Sequence, residues 1–300
     1  MGIADAAGGG QRTPATPLVL AHVDPFDWPG LLGFLSKRQI PGLERIEGVC
    51  WSRLLTVNGP QGPADGWLHV APAGKHLAVE LDAGLEGHRE TVAGRLRAFF
   101  DLDLDPAEPR RSLGKLMDRR PGLRMPGALD GFEVGARAVL GQQVSLAAAT
   151  TLAGRVLARF GRPVAGGYAF PEPAVLARAD VREIAALGMP ARRAQSLRAL
   201  AQALAAGDLA LTPQADRDAT RTALLALPGI GPWTVEYLAM RALRDRDAFP
   251  AADLVLRRAM QVSTAAQARQ RAEAWRPWRA HAVLHLWTAM ADQPRTPNLN

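Results

Sequence analysis

The sequence predicts an α+β protein: an antiparallel sheet with two helices, followed by an all-helical region. Three observations carry that prediction. Short apolar runs bounded by Gly and Pro turns fill the amino-terminal third. After Pro106 these strand signals stop, and Ala, Leu and Arg recur at helical spacing to the end of the chain. A length of 300 residues with 48% hydrophobic content is enough for more than one packed unit.

Taken in order, residues 1–16 are Gly, Ala, Pro and Thr around few charges, with nothing to bury, and are expected to form a flexible tail. An α+β domain is expected over 17–108, with strands near 17–23, 49–57, 67–71 and 77–81. Turns such as Asn58-Gly59-Pro60 and Pro72-Ala73-Gly74 separate them, and helical spacing covers 28–38 and 86–100. The region 109–300 reads as helices only. Asp180-Val181-Arg182-Glu183 has the spacing of a capping box, and Gly188-Met189-Pro190 and Gly207-Asp208 read as breaks. Between residues 131 and 161 the pattern is helical on both sides of Gly141-Gln142-Gln143, with Ser145 placed to cap the second helix. No fixed-period repeat is evident.

Charge is unevenly distributed. The net charge is +7, but residues 1–108 carry −5 and residues 109–300 carry +12. A positive field concentrated on one region favours a polyanion such as nucleic acid, because each neutralised phosphate releases counterions. General arginine enrichment is the competing explanation, since Lys37, Lys75 and Lys115 are the only lysines. The single cysteine, Cys50, excludes a disulfide framework and a four-cysteine cluster built from this chain alone. No apolar run reaches the roughly 18 residues of a membrane span, and the first sixteen residues lack a signal-peptide pattern. A cytoplasmic protein with no membrane partner is expected.

The most informative segment is Leu227-Pro228-Gly229-Ile230-Gly231-Pro232-Trp233-Thr234, between a helix ending near Ala226 and another starting at Pro232. Proline suits the first helical position, and the free amides at a helix start form an anion site. Gly229, Ile230, Gly231 and Thr234 are thus candidates for holding one DNA phosphate. An ordinary tight connection between helices is the plain alternative. Nineteen residues beyond Thr234 comes Asp253, in Phe249-Pro250-Ala251-Ala252-Asp253.

At this point the chain resembles the helix-hairpin-helix DNA glycosylase superfamily and, within it, the 3-methyladenine DNA glycosylase II family. Further matching stretches are 132–145 around Leu140-Gly141-Gln142-Gln143-Val144-Ser145, Leu187-Gly188-Met189-Pro190, Trp275-Arg276-Pro277-Trp278-Arg279 with His285-Leu286-Trp287, and Asp27-Trp28 with Leu32-Gly33-Phe34-Leu35. The resemblance spans nearly the whole chain. It implies two helical lobes within 109–300 with the active-site cleft between them, and double-stranded DNA containing damaged bases as partner. A monomer is the simplest expectation.

The resemblance makes Asp253 the catalytic carboxylate, and chemistry agrees. Cleaving an N-glycosidic bond builds positive charge on the sugar, which a fixed carboxylate stabilises. A helix N-cap is its alternative role, compatible with the first. Trp233, Tyr237 and Trp287 resemble the family's aromatic pocket, which would hold electron-poor bases by stacking and cation–π attraction; core packing is the alternative for each. Where some relatives place an aromatic residue directly after the aspartate, this chain has Leu254. The family also implies a wedge that fills the gap left by a flipped base, here Gln143, where some relatives have an apolar residue. Some superfamily members carry a lysine just after the hairpin as lyase nucleophile; Trp233 stands there, and no lysine follows, so a monofunctional hydrolase is expected. No cofactor is required, although the resemblance allows a monovalent cation at the hairpin.

His281 and His285 are four apart on a helix but lack a third ligand, so no metal site is expected. The arginines at 110, 111, 119, 120, 124, 241, 244, 257 and 258 are collectively candidate phosphate contacts. Two competing functions remain at this stage. One is a non-catalytic DNA-docking module, which would need neither Asp253 nor the aromatic residues; the other is a glycosylase for oxidised or deaminated bases.

Overall fold

The computed structural model describes residues 17–59 and 62–292. Residues 1–16, where a flexible tail is expected, residues 60–61 and residues 293–300 lie outside the described residues.

Five antiparallel strands form one sheet: β1 (Leu18–Ala21), β2 (Glu44–Glu47), β3 (Cys50–Gly59), β4 (Gly62–Ala73) and β5 (His76–Leu81), in the order β1-β5-β4-β3-β2. Leu54 pairs with Trp67 and Trp51 with Val70 across β3 and β4. The sheet packs on the helix Arg89–Phe100, where Trp51 stacks on Phe99 with ring centroids 5.3 Å apart. Burying such rings supplies the hydrophobic driving force for this layer.

The α+β expectation holds, with three corrections of detail. Strand β2, Glu-Arg-Ile-Glu, was not expected, because three of its four residues are charged. The helix expected over 86–100 is two pieces, Ala83–Glu86 and Arg89–Phe100, broken at Gly87-His88. Strand structure also does not stop at Pro106: β6 (Arg162–Val164) and β7 (Gly167–Ala169) form a hairpin inside the helical region. Each strand has three residues, too few for alternation to register, and the hairpin is held by the sheet itself. Tyr168 donates its amide to Gly42 O at 3.0 Å, and Trp67 donates its indole N–H to Ala165 O at 3.1 Å.

The remaining chain is helical. Ser145 caps the helix Leu146–Phe160 as expected, accepting from the Ala148 amide at 3.2 Å. Asp180 caps the helix Val181–Ala185 through the Arg182 amide, without a reciprocal Glu183 bond. Among the described residues no helix is long and apolar enough to cross a membrane.

One hydrophobic core runs unbroken from the sheet into the helices. A buried ionic network crosses the same junction. Arg53 on β3 bonds Glu44 on β2 at 2.9 Å and also Glu133 on the helix Gly131–Leu140, while Arg137, one turn on, reaches Glu133 at 2.7 Å and pairs with Glu44. Burial pushes the Glu133 carboxyl up, but Arg53 and Arg137 outweigh it and hold it at about 2.

Candidate active site

A cavity of about 410 Å³ opens beside this junction, within the range of ligand pockets. It is lined by Asp253, Trp233, Tyr237 and Trp287 together with Phe34 and Arg38 of the amino-terminal region.

Asp253 sits in the loop before the short helix Leu254–Ala259 and is its N-cap, with Oδ1 accepting the Leu256 amide at 2.7 Å. The same oxygen accepts the Trp287 indole N–H at 3.2 Å, and Oδ2 accepts the Trp233 indole N–H at 2.9 Å. Three N–H donors from three elements thus fix one half-buried carboxylate at the cavity wall. Capping and cavity exposure coexist, because only part of the carboxylate's acceptor capacity is used by the helix.

The aromatic residues meet in one cluster. Trp233 and Tyr237, one turn apart on the helix Pro232–Arg241, stack at 5.3 Å with planes 16° apart. Trp287, on the helix Arg279–Ala291, approaches Tyr237 at 6.3 Å. The sequence predicts stacking and cation–π attraction from the tryptophans, with core packing as the alternative; their indole N–H groups also orient Asp253.

The hairpin lies between the helices Arg217–Ala226 and Pro232–Arg241, as the sequence predicts. Gly229 has φ +74°, and a Cβ there would meet Ser196 Oγ at 2.1 Å, so the residue must be glycine. Gly231 faces no such demand: its φ is −102° and an added Cβ meets nothing within 4 Å. The amides of Gly229, Gly231, Trp233 and Thr234 make no hydrogen bond among the described residues. Ile230 and Thr234 have buried side chains, so their outward groups are backbone only.

Gln143 is exposed and adopts φ +56° between the helices Gly131–Leu140 and Leu146–Phe160. Its neighbour Gln142, not singled out from sequence, ties this loop to the hairpin. The Gln142 amide donates to Gly229 O at 3.0 Å and to Thr234 Oγ1 at 3.1 Å. Val144, Leu146 and Val255 form an exposed apolar rim on the cavity.

Two expected phosphate contacts are corrected. Arg124 is fully buried and donates to Val23 O at 2.7 Å and Pro25 O at 3.1 Å. Arg241 is buried and donates to Pro126 O at 2.5 Å, Gly127 O at 3.1 Å and Tyr237 Oη at 2.9 Å. Arg110, Arg120 and Arg244 are engaged in ion pairs, and Arg257 donates to Ser263 O at 2.7 Å. Arg111, Arg119 and Arg258 are exposed, with no ion-pair partner among the described residues. His281 and His285 are core residues; His281 Nε2 lies 3.6 Å from Asp101. Burial, reinforced by His281, pulls the His285 imidazole down to about 4. Among the described residues no cluster of three His, Cys, Asp or Glu could hold a metal. At the hairpin any cation would be held by backbone carbonyls, hard oxygen ligands, of which Gly229 O already accepts from Gln142 and Leu227 O from the Ile230 amide.

Residues 17–130 match the family described as AlkA N-terminal domain, and residues 136–279 match the one described as HhH-GPD superfamily base excision DNA repair protein. DNA-3-methyladenine glycosylase 2 of Escherichia coli (strain K12) is 38% identical over 274 residues, covering 90% of this chain and 96% of that protein. The chain belongs to the 3-methyladenine DNA glycosylase II family. A second relative of this glycosylase, DNA-3-methyladenine glycosylase of Bacillus subtilis (strain 168), is 30% identical and covers 91% of this chain and 97% of its own. In fold it is similar to the 3-methyladenine DNA-glycosylase from Archaeoglobus fulgidus, with a TM-score of 0.78 at 23% identity over 93% of this chain and 99% of that one.

The glycosylase pocket also contains residues to which the sequence assigned no site role, although Phe34 lies in the matching stretch Leu32-Gly33-Phe34-Leu35. Phe34 and Arg38 reach it from the amino-terminal region. The Arg38 guanidinium lies 3.6 Å over the Phe34 ring, donates to Phe34 O at 3.0 Å, and is pulled down to about 10 by burial. The four-residue spacing of Phe34 and Arg38 could have paired them on one helix face, but not placed that face at this cavity.

Proposed function

We propose that this glycosylase releases alkylated purines, 3-methyladenine and its relatives, from duplex DNA by hydrolysing the N-glycosidic bond, and leaves the strand intact. The observation that carries the reading is Asp253: a carboxylate fixed by three N–H donors in the wall of an aromatic-lined cavity. A docking module has no use for that arrangement.

In this reading the damaged nucleotide swings out of the helix and its base enters beside Trp233, Tyr237 and Trp287. A positively charged base is attracted to the faces of these rings. The C1′–N bond then breaks with its electron pair leaving on the base, which becomes neutral. Positive charge grows on the sugar, where Asp253 opposes it with no reorganisation, because its donors already hold it. Water adds through oxygen to C1′ and releases its proton to the surrounding solvent. Gln143 fills the gap in the stack. The amides of Gly229, Gly231, Trp233 and Thr234 hold a backbone phosphate at the start of the helix Pro232–Arg241.

The chemistry calls for no covalent intermediate. Trp233 occupies the position after the hairpin, and no lysine follows it, so no amine is available to attack the sugar and break the strand.

The test is a duplex oligonucleotide carrying one 3-methyladenine. The native chain should release the free base and leave an abasic site that breaks only on heating with alkali. Absence of base release would overturn the reading, and strand breaks without heat or alkali would overturn its monofunctional part.

A further inference from the structure

A buried guanidinium ordinarily faces a carboxylate, because an unpaired buried charge is costly. Arg53 and Arg137 obey this, enclosed by Glu44 and Glu133. Arg241, which is buried, and Arg38, which is half-buried in the cavity wall, do not. Among the described residues neither has a carboxylate in ion-pair reach; the partners of Arg38 are Phe34 O, the Phe34 ring and the Tyr237 hydroxyl, and those of Arg241 are two backbone carbonyls, Tyr237 and the Phe34 ring. Both line the same cavity as Asp253.

Between them stands the Tyr237 hydroxyl, which accepts from Arg241 Nη1 at 2.9 Å and also faces Arg38. A guanidinium has donors only, so neither arginine can take the phenolic proton. No described residue accepts it, and Tyr237 lines the cavity, so that proton remains for a guest. The contacts run in order from Asp253 to Trp233 at 2.9 Å, from Trp233 to Tyr237 in the ring stack, and from Tyr237 to the arginines. Of the other charged groups in the cavity wall, Glu44 and Glu133 are already paired with Arg53 and Arg137, so along this chain of contacts the carboxylate of Asp253 and the guanidinium groups of Arg38 and Arg241 stand on opposite sides of the aromatic stack.

We infer that Arg38 is a specificity-determining residue which, with the Tyr237 hydroxyl, presents hydrogen-bond donors and positive charge to the edge of the flipped base remote from the sugar. This rests on the function proposed above. Breaking the C1′–N bond moves an electron pair from the bond onto the base. A neutral base such as hypoxanthine gathers negative charge as it leaves, and donors at its far edge stabilise that charge. A cationic alkylpurine arrives positive, so Arg38 opposes its binding. It leaves neutral, and the opposition fades toward the transition state. Arg38 thus assists departure of both classes but hinders binding of the cationic one.

Single-turnover rates and half-saturating enzyme concentrations on duplexes carrying hypoxanthine or 3-methyladenine test this in Arg38→Met and Tyr237→Phe. The maximal rate on hypoxanthine should fall about tenfold or more in each variant, the size expected when a hydrogen bond to developing charge is lost. On 3-methyladenine the rate loss should be smaller, and Arg38→Met should reach half-saturation at a lower concentration. A merely structural role would tighten nothing. Tyr237→Phe keeps the ring and serves alone if Arg38→Met does not fold. Equal losses on both lesions would overturn the inference, as would native release of 3-methyladenine without release of hypoxanthine. Native release of neither base would instead remove the function on which it rests.

Discussion

Asp253 shows how much one side chain depends on its neighbours. Its orientation is set by the Leu256 amide and two indole N–H groups, so rings 20 and 34 residues away in sequence decide where the negative charge points. Trp287→Phe keeps an aromatic face but removes one donor; base release should fall about tenfold, with DNA affinity little changed, as read by single-turnover rate and anisotropy titration. The two hairpin glycines should separate cleanly. Gly229→Ala forces a clash with Ser196 and a strained φ, and should lower thermal stability by about 1–3 kcal/mol. Gly231→Ala meets no protein atom, so it should leave the melting temperature in place and weaken only DNA binding. Residue identity made Asp253 and the hairpin legible in the sequence, because both sit in short contiguous patterns. Arg38 and Arg241 were not legible. Arg38 acts across some two hundred residues of chain from its partner Tyr237, and Arg241 has the charge of a surface residue but a place in the core.

Elements meet through the buried network of Glu44, Arg53, Glu133 and Arg137, which ties strands β2 and β3 to the helix Gly131–Leu140 under the pocket. Removing one partner leaves an uncompensated buried charge, so Glu133→Gln should cost about 3–5 kcal/mol in urea unfolding. Exposed pairs such as Arg110–Asp118 should cost about 1 kcal/mol or less. Fold legibility follows length and environment at this scale. The strands β3, β4 and β5 and the long helices announce themselves by apolar periodicity. Strand β2 gives its Glu44 to the ionic network and turns Arg45 and Glu47 to solvent, and β6 and β7 exist because the sheet lends them partners, so none of the three carries a local signal.

At the scale of the whole molecule, charge and acid response are the measurable quantities. The +12 of residues 109–300 should make DNA binding fall steeply with salt, and reversing Arg111, Arg119 and Arg258 together should flatten that slope. Acid should destabilise the fold in a definite window. The folded chain holds His285 near 4 against an ordinary 6.5, so the unfolded chain takes up the proton first. Stability contributed by neutral His285 is full above pH 6.5 and is lost as pH falls toward 4, by about 3 kcal/mol. His285→Gln should flatten the stability curve in that window, as followed by thermal melts across pH.

All of this converges on whether a single carboxylate drives base release. The most direct measurement is the single-turnover rate of Asp253→Asn on a duplex carrying 3-methyladenine, beside its affinity for the same duplex. Asparagine keeps the size and an oxygen acceptor but removes the charge, so the rate should fall by about a hundredfold or more while binding is retained. A rate within a few-fold of the native chain would show that the negative charge at position 253 does not carry the reaction.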